Sequence, residues 1–186
     1  LIASRHLILG MCVRVEDGEP YQDTYTGKPI TLDLVSFEHS PVEEREQKCN
    51  REIIDVSKTP FNLTTGPLFR AKLYRLTEHE HILLIELHHI ISDGWSNNLL
   101  ADELSQCYNA LCQGHSPSLP ALPLQYSDFS RYQQIHFRGG HLDNLTAYWR
   151  EQLSGDIEPH NLPVDFPRPP MQSNRGAKHR FIIDAG

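Results

Sequence analysis

The sequence predicts an α/β fold, a two-layer (α+β) sandwich in which helices pack against a mixed, largely antiparallel sheet. Residues 68–76 and 81–87 are both rich in apolar side chains, and the polar stretch 77–80 between them is typical of an antiparallel hairpin. Ser40, Pro41 and Glu43 form a helix-start signal that predicts a helix over 40–58. Apolar residues at helical spacing after Gly94 indicate an amphipathic helix. Strands and helices that each carry an apolar side pack together as two layers.

The other elements follow from similar patterns. Residues 81–87 are apolar on both faces except at Glu86, which predicts a central strand. The helix after Gly94 is expected to close near Gly114. Its apolar side consists of Leu100, Leu104, Cys107, Tyr108 and Leu111. The remaining predicted elements are a strand over 7–15 that leads into a tight turn at Asp17 and Gly18, a strand over 30–37, and helices over 127–137 and 142–153.

Prolines divide the last part of the sequence from the rest. Five prolines fall between residues 154 and 170, where they prevent a regular helix or strand. We therefore expect a core lobe over 1–153, a proline-rich crossover over 154–178 and the start of a further strand over 179–186.

Charge and composition exclude several classes of function. The 17 Lys and Arg against 24 Asp and Glu give a net charge of −7, and such a surface repels phosphate backbones, so nucleic acid is not an expected partner. No apolar run approaches the roughly 20 residues that cross a bilayer, so no membrane association is expected. The four cysteines show no CxxC spacing and are expected to be free thiols of a cytoplasmic protein.

The stretch HHIISDGWS at residues 88–96 contains the side chains best suited to chemistry. Neighbouring strand residues point to opposite sides of a sheet, so only one of His88 and His89 can face a given cleft. An imidazole at this position can accept a proton near neutral pH. Asp93 stands where it can cap the following helix, and Gly94 suits a tight bend or a close approach of substrate.

Two other interpretations of this stretch remain open from the residues alone. A histidine beside a sheet is commonly structural, and an Asp–Gly pair is commonly no more than a turn. A metal site is the second alternative, because several histidines and Asp93 lie close together in sequence. Adjacent histidines diverge, however, and the chain has no HxxxH pair, so no metal is expected.

HHIISDG is one of several motifs that occur in order along nearly the whole chain. The others are the Arg5–His6 pair, DGEPYQ at 17–22, PFNLTTGPLFR at 60–70, QYSDF at 125–129 and the YW pair at 148–149. Together they resemble the motifs of condensation domains of nonribosomal peptide synthetases, which have the chloramphenicol-acetyltransferase-like fold. The sequence is thereby identified as resembling the N-terminal half of such a domain.

The sequence departs from the family's pattern in several places. RHLILGMCV stands where the family usually has RHExLRTxF, and Tyr132 replaces the tryptophan that follows the QYxDF motif. The departures within RHLILGMCV are Leu7, Gly10, Met11 and Val13. The family's C-terminal lobe is expected to lie outside this sequence.

The resemblance implies amide-bond formation between an upstream acyl or peptidyl thioester and the amine of a downstream aminoacyl thioester. His89, the motif's second histidine, would face the tunnel where these substrates meet, either as a base or as a positioning group. His88 would point into the lobe, and Asp93 would be structural through an ion pair with Arg5. Gly94 would keep the tunnel open beside His89. The remaining tunnel-lining candidates are Ser92, Trp95 and Ser96.

The implied partners are upstream and downstream peptidyl carrier proteins and the C-terminal lobe of the same domain. Substrates would arrive on the 4′-phosphopantetheine arms of the carriers, and the domain itself would bind no cofactor. The 186-residue chain alone is expected to fold, to be inactive, and to self-associate through the face that meets the other lobe. Two alternatives remain, a stand-alone CoA-dependent acyltransferase of the same fold and a non-catalytic docking or pseudo-domain.

Overall fold

The computed structural model describes residues 1–24, 30–138, 140–157, 162–171, 173, 176–177 and 179–184. The chain divides into two units, Leu1–Gly139 and Gly140–Gly186. The described elements of the first unit are α1 (Ile2–Arg5), a 3₁₀ turn (Leu7–Gly10), β1 (Met11–Glu16), β2 (Glu19–Thr24), β3 (Leu32–Ser36), α2 (Val42–Ser57), β4 (Phe69–Arg75), β5 (His81–Leu87), α3 (Gly94–Cys112) and α4 (Tyr126–Phe137). The second unit contains α5 (His141–Gln152).

β1 and β2 form an antiparallel hairpin. Asp17 and Gly18 at its tip both have positive φ, 52° and 85°, as a two-residue turn between twisted strands requires. The turn predicted at these residues is confirmed. The strand predicted from residue 7 begins only at Met11, because residues 7–10 form a 3₁₀ turn that buries Leu9.

The second sheet has the order β3–β4–β5 within the described residues. β4 and β5 pair antiparallel, from Phe69 opposite Leu87 to Arg75 opposite His81, which confirms the predicted hairpin. β3 runs parallel to β4, so the sheet is mixed as predicted. The expectation that β5 is a central strand is wrong for the described part of the chain. Because its side chains are apolar on both faces, β5 was expected to have a paired strand at each edge. Within the described residues, β4 is the one strand that pairs with it.

Two clusters of buried side chains form the core of the first unit. One joins the N-terminal segment, β4, the loop after β5 and α3, and consists of Leu9, Met11, Leu68, Phe69, Ile91 and Leu100. The other joins α2 to the sheet through Cys49, Tyr74 and Leu76. Because a fully buried Leu or Met side chain stabilises a fold by about 2 kcal/mol, the first cluster firmly fixes the loop that carries HHIISDG.

α3 begins at Gly94 and ends at Cys112, close to the predicted bounds. Its buried residues are Leu100, Glu103 and Cys107. The predicted apolar side is therefore only partly right, because Tyr108 and Leu111 are 67% and 62% exposed. The helix is buried along its middle turns, from Leu100 to Cys107, whereas its first and last turns are exposed to solvent.

α4 and α5 confirm the two helices predicted near the end of the chain, and neither has a buried residue. The boundary between the two compact units falls after residue 139, so α5 lies in the second unit, and the core lobe over 1–153 stays a prediction. Within the described residues, no helix has both the length and the apolar character to cross a bilayer.

The described residues after α5 form no helix or strand, in line with the prolines of this segment. The strand predicted from Arg180 is not formed over the described residues 179–184, and residues 185–186 lie outside them. Phe181, Ile182 and Ile183 are 72%, 89% and 83% exposed. A strand needs a neighbour for its backbone N–H and C=O groups, and no described strand pairs with this segment.

Candidate active site

The loop that follows β5 is fixed at both ends. The backbone N–H of His88 donates to the carbonyl of Leu68 at 3.0 Å, which continues the β4–β5 pairing past the end of the strand. The N–H of Ile91 donates back to the carbonyl of His88 at 3.0 Å and closes a turn. The Ile91 side chain is 6% exposed and lies in the first core cluster. His89, between these anchors, is exposed to solvent.

Asp93 is the N-cap of α3. Its Oδ1 accepts hydrogen bonds from the backbone N–H of Ser96 at 2.8 Å and from the Ser96 hydroxyl at 2.7 Å. These bonds, the backbone one first, hold the pKa of Asp93 below its ordinary value, and the charge of His89 adds a smaller effect in the same direction. Asp93 is therefore ionised at neutral pH and satisfies the free N–H groups at the start of the helix.

Arg5 binds a different carboxylate from the one expected. Its Nε donates to both oxygens of Glu103 at 3.1 Å. The carboxylate of Asp93 accepts hydrogen bonds from Ser96 instead. The expected Arg5–Asp93 ion pair is therefore corrected to Arg5–Glu103. Glu103 lies on the buried side of α3, more than two turns after the cap, and there it faces the N-terminal segment. A cation from that segment compensates a buried carboxylate, whereas Asp93 at the exposed start of the helix has its hydrogen bonds already.

His6 binds the same buried carboxylate as Arg5. Its Nε2 lies 2.6 Å from Oε2 of Glu103. Gln125, from the QYSDF segment, donates to the carbonyl of Arg5 at 3.1 Å and accepts from the N–H of Leu7 at 3.2 Å. These contacts connect the N-terminal segment to both α3 and the start of α4.

His88 is held by its neighbours in the loop and by Phe61. Its Nδ1 accepts a hydrogen bond from the backbone N–H of Ile90 at 3.1 Å, so a neutral His88 carries its proton on Nε2. The ring meets Phe61 edge-on at 6.1 Å between centroids, and the guanidinium of Arg70 lies 4.0 Å from the centre of the same Phe61 ring. These contacts restrict the rotation of His88.

His89 lies where two cavities of the first unit meet. One cavity, of about 400 Å³, reaches the N-terminal segment and α4, and its lining includes His6 and Tyr126. The other, of about 1030 Å³, runs along β5 and past the end of α2, and its lining includes Lys58 and Arg70. His89 lines both cavities and can be reached from two directions. His88 also lines the larger cavity, so the expectation that only one of the two histidines faces a given cleft is wrong for that cavity.

The other candidate site residues are only partly brought together. Ser92 and Ser96 line the smaller cavity, whereas Trp95 lines neither and is 83% exposed. Gly94 lines the larger cavity, but its φ is outside the left-handed region and a Cβ there would meet no atom within 4 Å. The tight bend expected at Gly94 is therefore not observed, while a close approach of substrate at this position stays a prediction.

No group of three or more His, Cys, Asp or Glu side chains in the described part of the chain is arranged to hold a metal ion. Cys12, Cys49 and Cys107 are buried free thiols, and Cys112 is an exposed one.

Comparison with known proteins identifies this arrangement. The family model of the condensation domain matches residues 1–186. The chain belongs to the condensation domain family. The family resemblance predicted from the ordered motifs is thus confirmed, and so is the fold class, by solved condensation domains.

Relatives of this condensation domain sequence are much larger proteins. A component of linear gramicidin synthase from Brevibacillus parabrevis is 37% identical over 185 residues, which are 100% of this chain and 2% of that protein. Phosphinothricin tripeptide synthetase PhsC of Streptomyces viridochromogenes is 33% identical over 184 residues, 99% of this chain and 17% of that protein. The starter condensation domain of rhizomide synthetase shares the fold with a TM-score of 0.76 and 20% identity, over 85% of this chain and 38% of that structure.

Sequence reasoning missed the buried carboxylate of this condensation domain and its histidine partner. Glu103 falls three residues after Leu100 and four before Cys107, on the apolar side of α3. A charged residue at such a position is the signal that could have revealed it, because an acidic side chain is rarely buried without a partner. Its partners could not be found in this way, since Arg5 and His6 precede it by nearly 100 residues.

Replacing Asp93 by alanine should lower the melting temperature of the chain by a few degrees, because the N–H of Ser96 loses its acceptor. Asparagine at this position keeps a capping oxygen and should melt close to wild type. Asp102→Ala, an exposed change within the same helix, is the matched control. Thermal unfolding followed by circular dichroism measures all three variants. An Asp93→Ala variant with the same melting temperature as wild type would show that the cap does not contribute to stability.

Proposed function

We propose that this chain is the lobe of a nonribosomal peptide synthetase condensation domain that supplies the reactive histidine, His89. The complete domain joins an acyl or peptidyl thioester to the amine of an aminoacyl thioester. The observation that carries this proposal is the position of His89 at the junction of two cavities. Two substrates that must meet at one imidazole need two approaches to it.

The reaction requires little activation of either partner. The amine nitrogen attacks the thioester carbonyl carbon, a C–N bond forms, and the C–S bond breaks. A proton leaves the nitrogen and one is taken up by the departing thiolate. An α-amine has a pKa of about 7.7–8.0, so part of it is neutral at pH 7. His89 therefore acts chiefly by accepting a hydrogen bond from an N–H of the attacking amine. This hydrogen bond orients the nitrogen and stabilises the positive charge that develops on it.

Substrate delivery would depend on partners outside this sequence. Upstream and downstream carrier proteins would present the thioesters on 4′-phosphopantetheine arms, and the C-terminal lobe would close the second wall of the site. No resident cofactor is needed, because both thioesters are already activated. The free thiols support a cytoplasmic location for the domain.

Substituting His89 by alanine in the complete domain should slow condensation by at least about 100-fold, the usual contribution of a positioned acid–base group. The assay uses loaded donor and acceptor carriers and mass-spectrometric detection of the product. His79→Ala is the matched control, since His79 lies in the β4–β5 turn at the opposite end of β5. A His89→Ala domain with wild-type turnover contradicts the proposed role. Transfer from a CoA thioester to a free amine without any carrier would favour the stand-alone acyltransferase instead.

A further inference from the structure

Glu103 is a buried carboxylate that binds His6, one of the residues that line the smaller cavity. Its side chain is 7% exposed, and it is bound by Arg5 at 3.1 Å and by His6 at 2.6 Å. Burial raises the pKa of Glu103, but the hydrogen bonds from His6 and Arg5 outweigh burial, so the pKa lies below the ordinary value. An ionised Glu103 can only accept hydrogen bonds. The Nε2 of His6 must therefore carry a proton.

This bond determines which nitrogen of His6 is free. With its proton on Nε2, a neutral imidazole has an unprotonated Nδ1 that can accept a hydrogen bond. Within the described residues, Nδ1 of His6 has no hydrogen-bond partner, and the His6 ring lines the same cavity as His89. The structure thus holds an oriented acceptor on a residue that lines the same cavity as the candidate reactive histidine. A carboxylate that fixes a histidine tautomer in this way is a recurrent device of acid–base sites.

The charges around the cavity favour a cationic ligand group. Arg5 and Glu103 neutralise each other, so neither adds a net charge to the cavity. Asp93 also lines the cavity and is ionised, its pKa being lowered by hydrogen bonds from Ser96. The ionised carboxylate of Asp93 in this cavity attracts an ammonium group and repels an anion.

We propose that His6 binds the amino group of the acceptor substrate, through a hydrogen bond from that amine to Nδ1. This rests on the proposed function. Once the amine nitrogen has attacked the thioester carbon, it carries two N–H groups, and both need acceptors. His89 accepts one of them and His6 the other. His6 holds the nitrogen without taking its proton, and the proton leaves by way of His89 when the C–S bond breaks.

Two substitutions separate the structural contact of His6 from its contact with substrate. In His6→Gln, the amide N–H₂ can still reach Glu103, but nothing replaces the Nδ1 acceptor. In His6→Asn, an amide oxygen stands near the position of Nδ1, while the contact with Glu103 is lost. A residue with only a structural role would tolerate glutamine better than asparagine. A residue that binds the amine would show the opposite order in binding.

The experiment measures binding to the complete domain by titration calorimetry with two matched probes. One is an aminoacyl pantetheine whose thioester is replaced by an amide, so that it binds without reacting, and the other is the same compound without its amino group. His6→Gln should weaken binding of the amine probe by about 10-fold or more, since a hydrogen bond to a charged group contributes about 1.5–3 kcal/mol. It should leave the affinity for the desamino probe unchanged. His6→Asn should recover part of that loss despite a lower melting temperature.

The outcomes distinguish this inference from the proposed function. Equal affinities of wild type and His6→Gln for the amine probe, or equal losses for both probes, would overturn the role of His6. A wild-type domain that fails to condense loaded carriers would overturn the proposed function instead. A loss confined to the amine probe still supports His6 as an amine-binding residue in that case.

Discussion

Replacing Glu103 by alanine should lower the free energy of unfolding by about 3 kcal/mol, because removing one partner of a buried ion pair leaves the other uncompensated. Arg5 and His6 are 16% and 17% exposed in their side chains, so solvent replaces their lost partner only partly. Their segment also packs Leu9 into the first core cluster, and loosening it weakens that packing too. Urea unfolding of the chain, followed by circular dichroism, measures the change.

The pH dependence of this effect has a definite sign. The pKa of Glu103 is lower in the folded chain than its ordinary value, so its charge stabilises the fold above that ordinary value and ceases to do so as the pH falls through the folded pKa. Glu103→Gln should therefore be less stable than wild type at pH 7, and the difference should shrink below about pH 4.5.

An exposed carboxylate provides the control for Glu103. Glu44 forms an i,i+4 pair with Lys48 in which the two side chains are 53% and 42% exposed, and Glu44→Ala should hardly move the unfolding midpoint. If Glu103→Ala unfolded at the same urea concentration as Glu44→Ala, the buried cluster would not be holding the N-terminal segment in place.

The sequence contained enough local information for the main elements. The β4–β5 hairpin and the turn at Asp17 and Gly18 depend on residues adjacent in the chain, and both are confirmed. α3 could also be predicted from the sequence, because Asp93 provides its cap and Leu100 and Cys107 mark its buried side. Such signals arise within a few residues, where backbone sterics and periodicity decide the outcome.

Other features depend on partners far away in the chain. β2 has the polar sequence EPYQDT and becomes a strand because β1 offers its backbone groups for pairing. The 81–87 segment has the composition of a central strand and yet lies at an edge within the described residues, since composition does not specify the number of neighbours. The pairing of Arg5 with Glu103 is likewise a tertiary contact, whereas the family resemblance implied Asp93 as the partner of Arg5.

The 186-residue chain on its own should show no turnover of carrier-bound substrates, a complete loss relative to the complete domain. The chain spans 38% of a solved condensation domain, and His89 is exposed on the lobe described here. Open solvent weakens electrostatic stabilisation of the developing charge, and no described part of the chain forms a second wall opposite His89 that would hold the two thioesters together. A peptide-bond assay with loaded carriers measures this, with the complete domain as the positive control. Product formed by the isolated chain at a comparable rate would contradict the need for a second wall.

The same open face should make the isolated chain self-associate. Trp95, Ile90 and Leu99 lie beside the candidate site and are 83%, 47% and 44% exposed. Adjacent apolar side chains on a soluble domain commonly mark a surface that another protein covers. Light scattering should therefore show a mass that rises with concentration, and Trp95→Ser combined with Leu99→Ser should reduce that rise without lowering the melting temperature, since neither side chain is buried. If the measured mass stayed at that of one chain at every concentration, the exposed apolar face would not be an association surface. The turnover assay alone would then test whether catalysis requires a second wall.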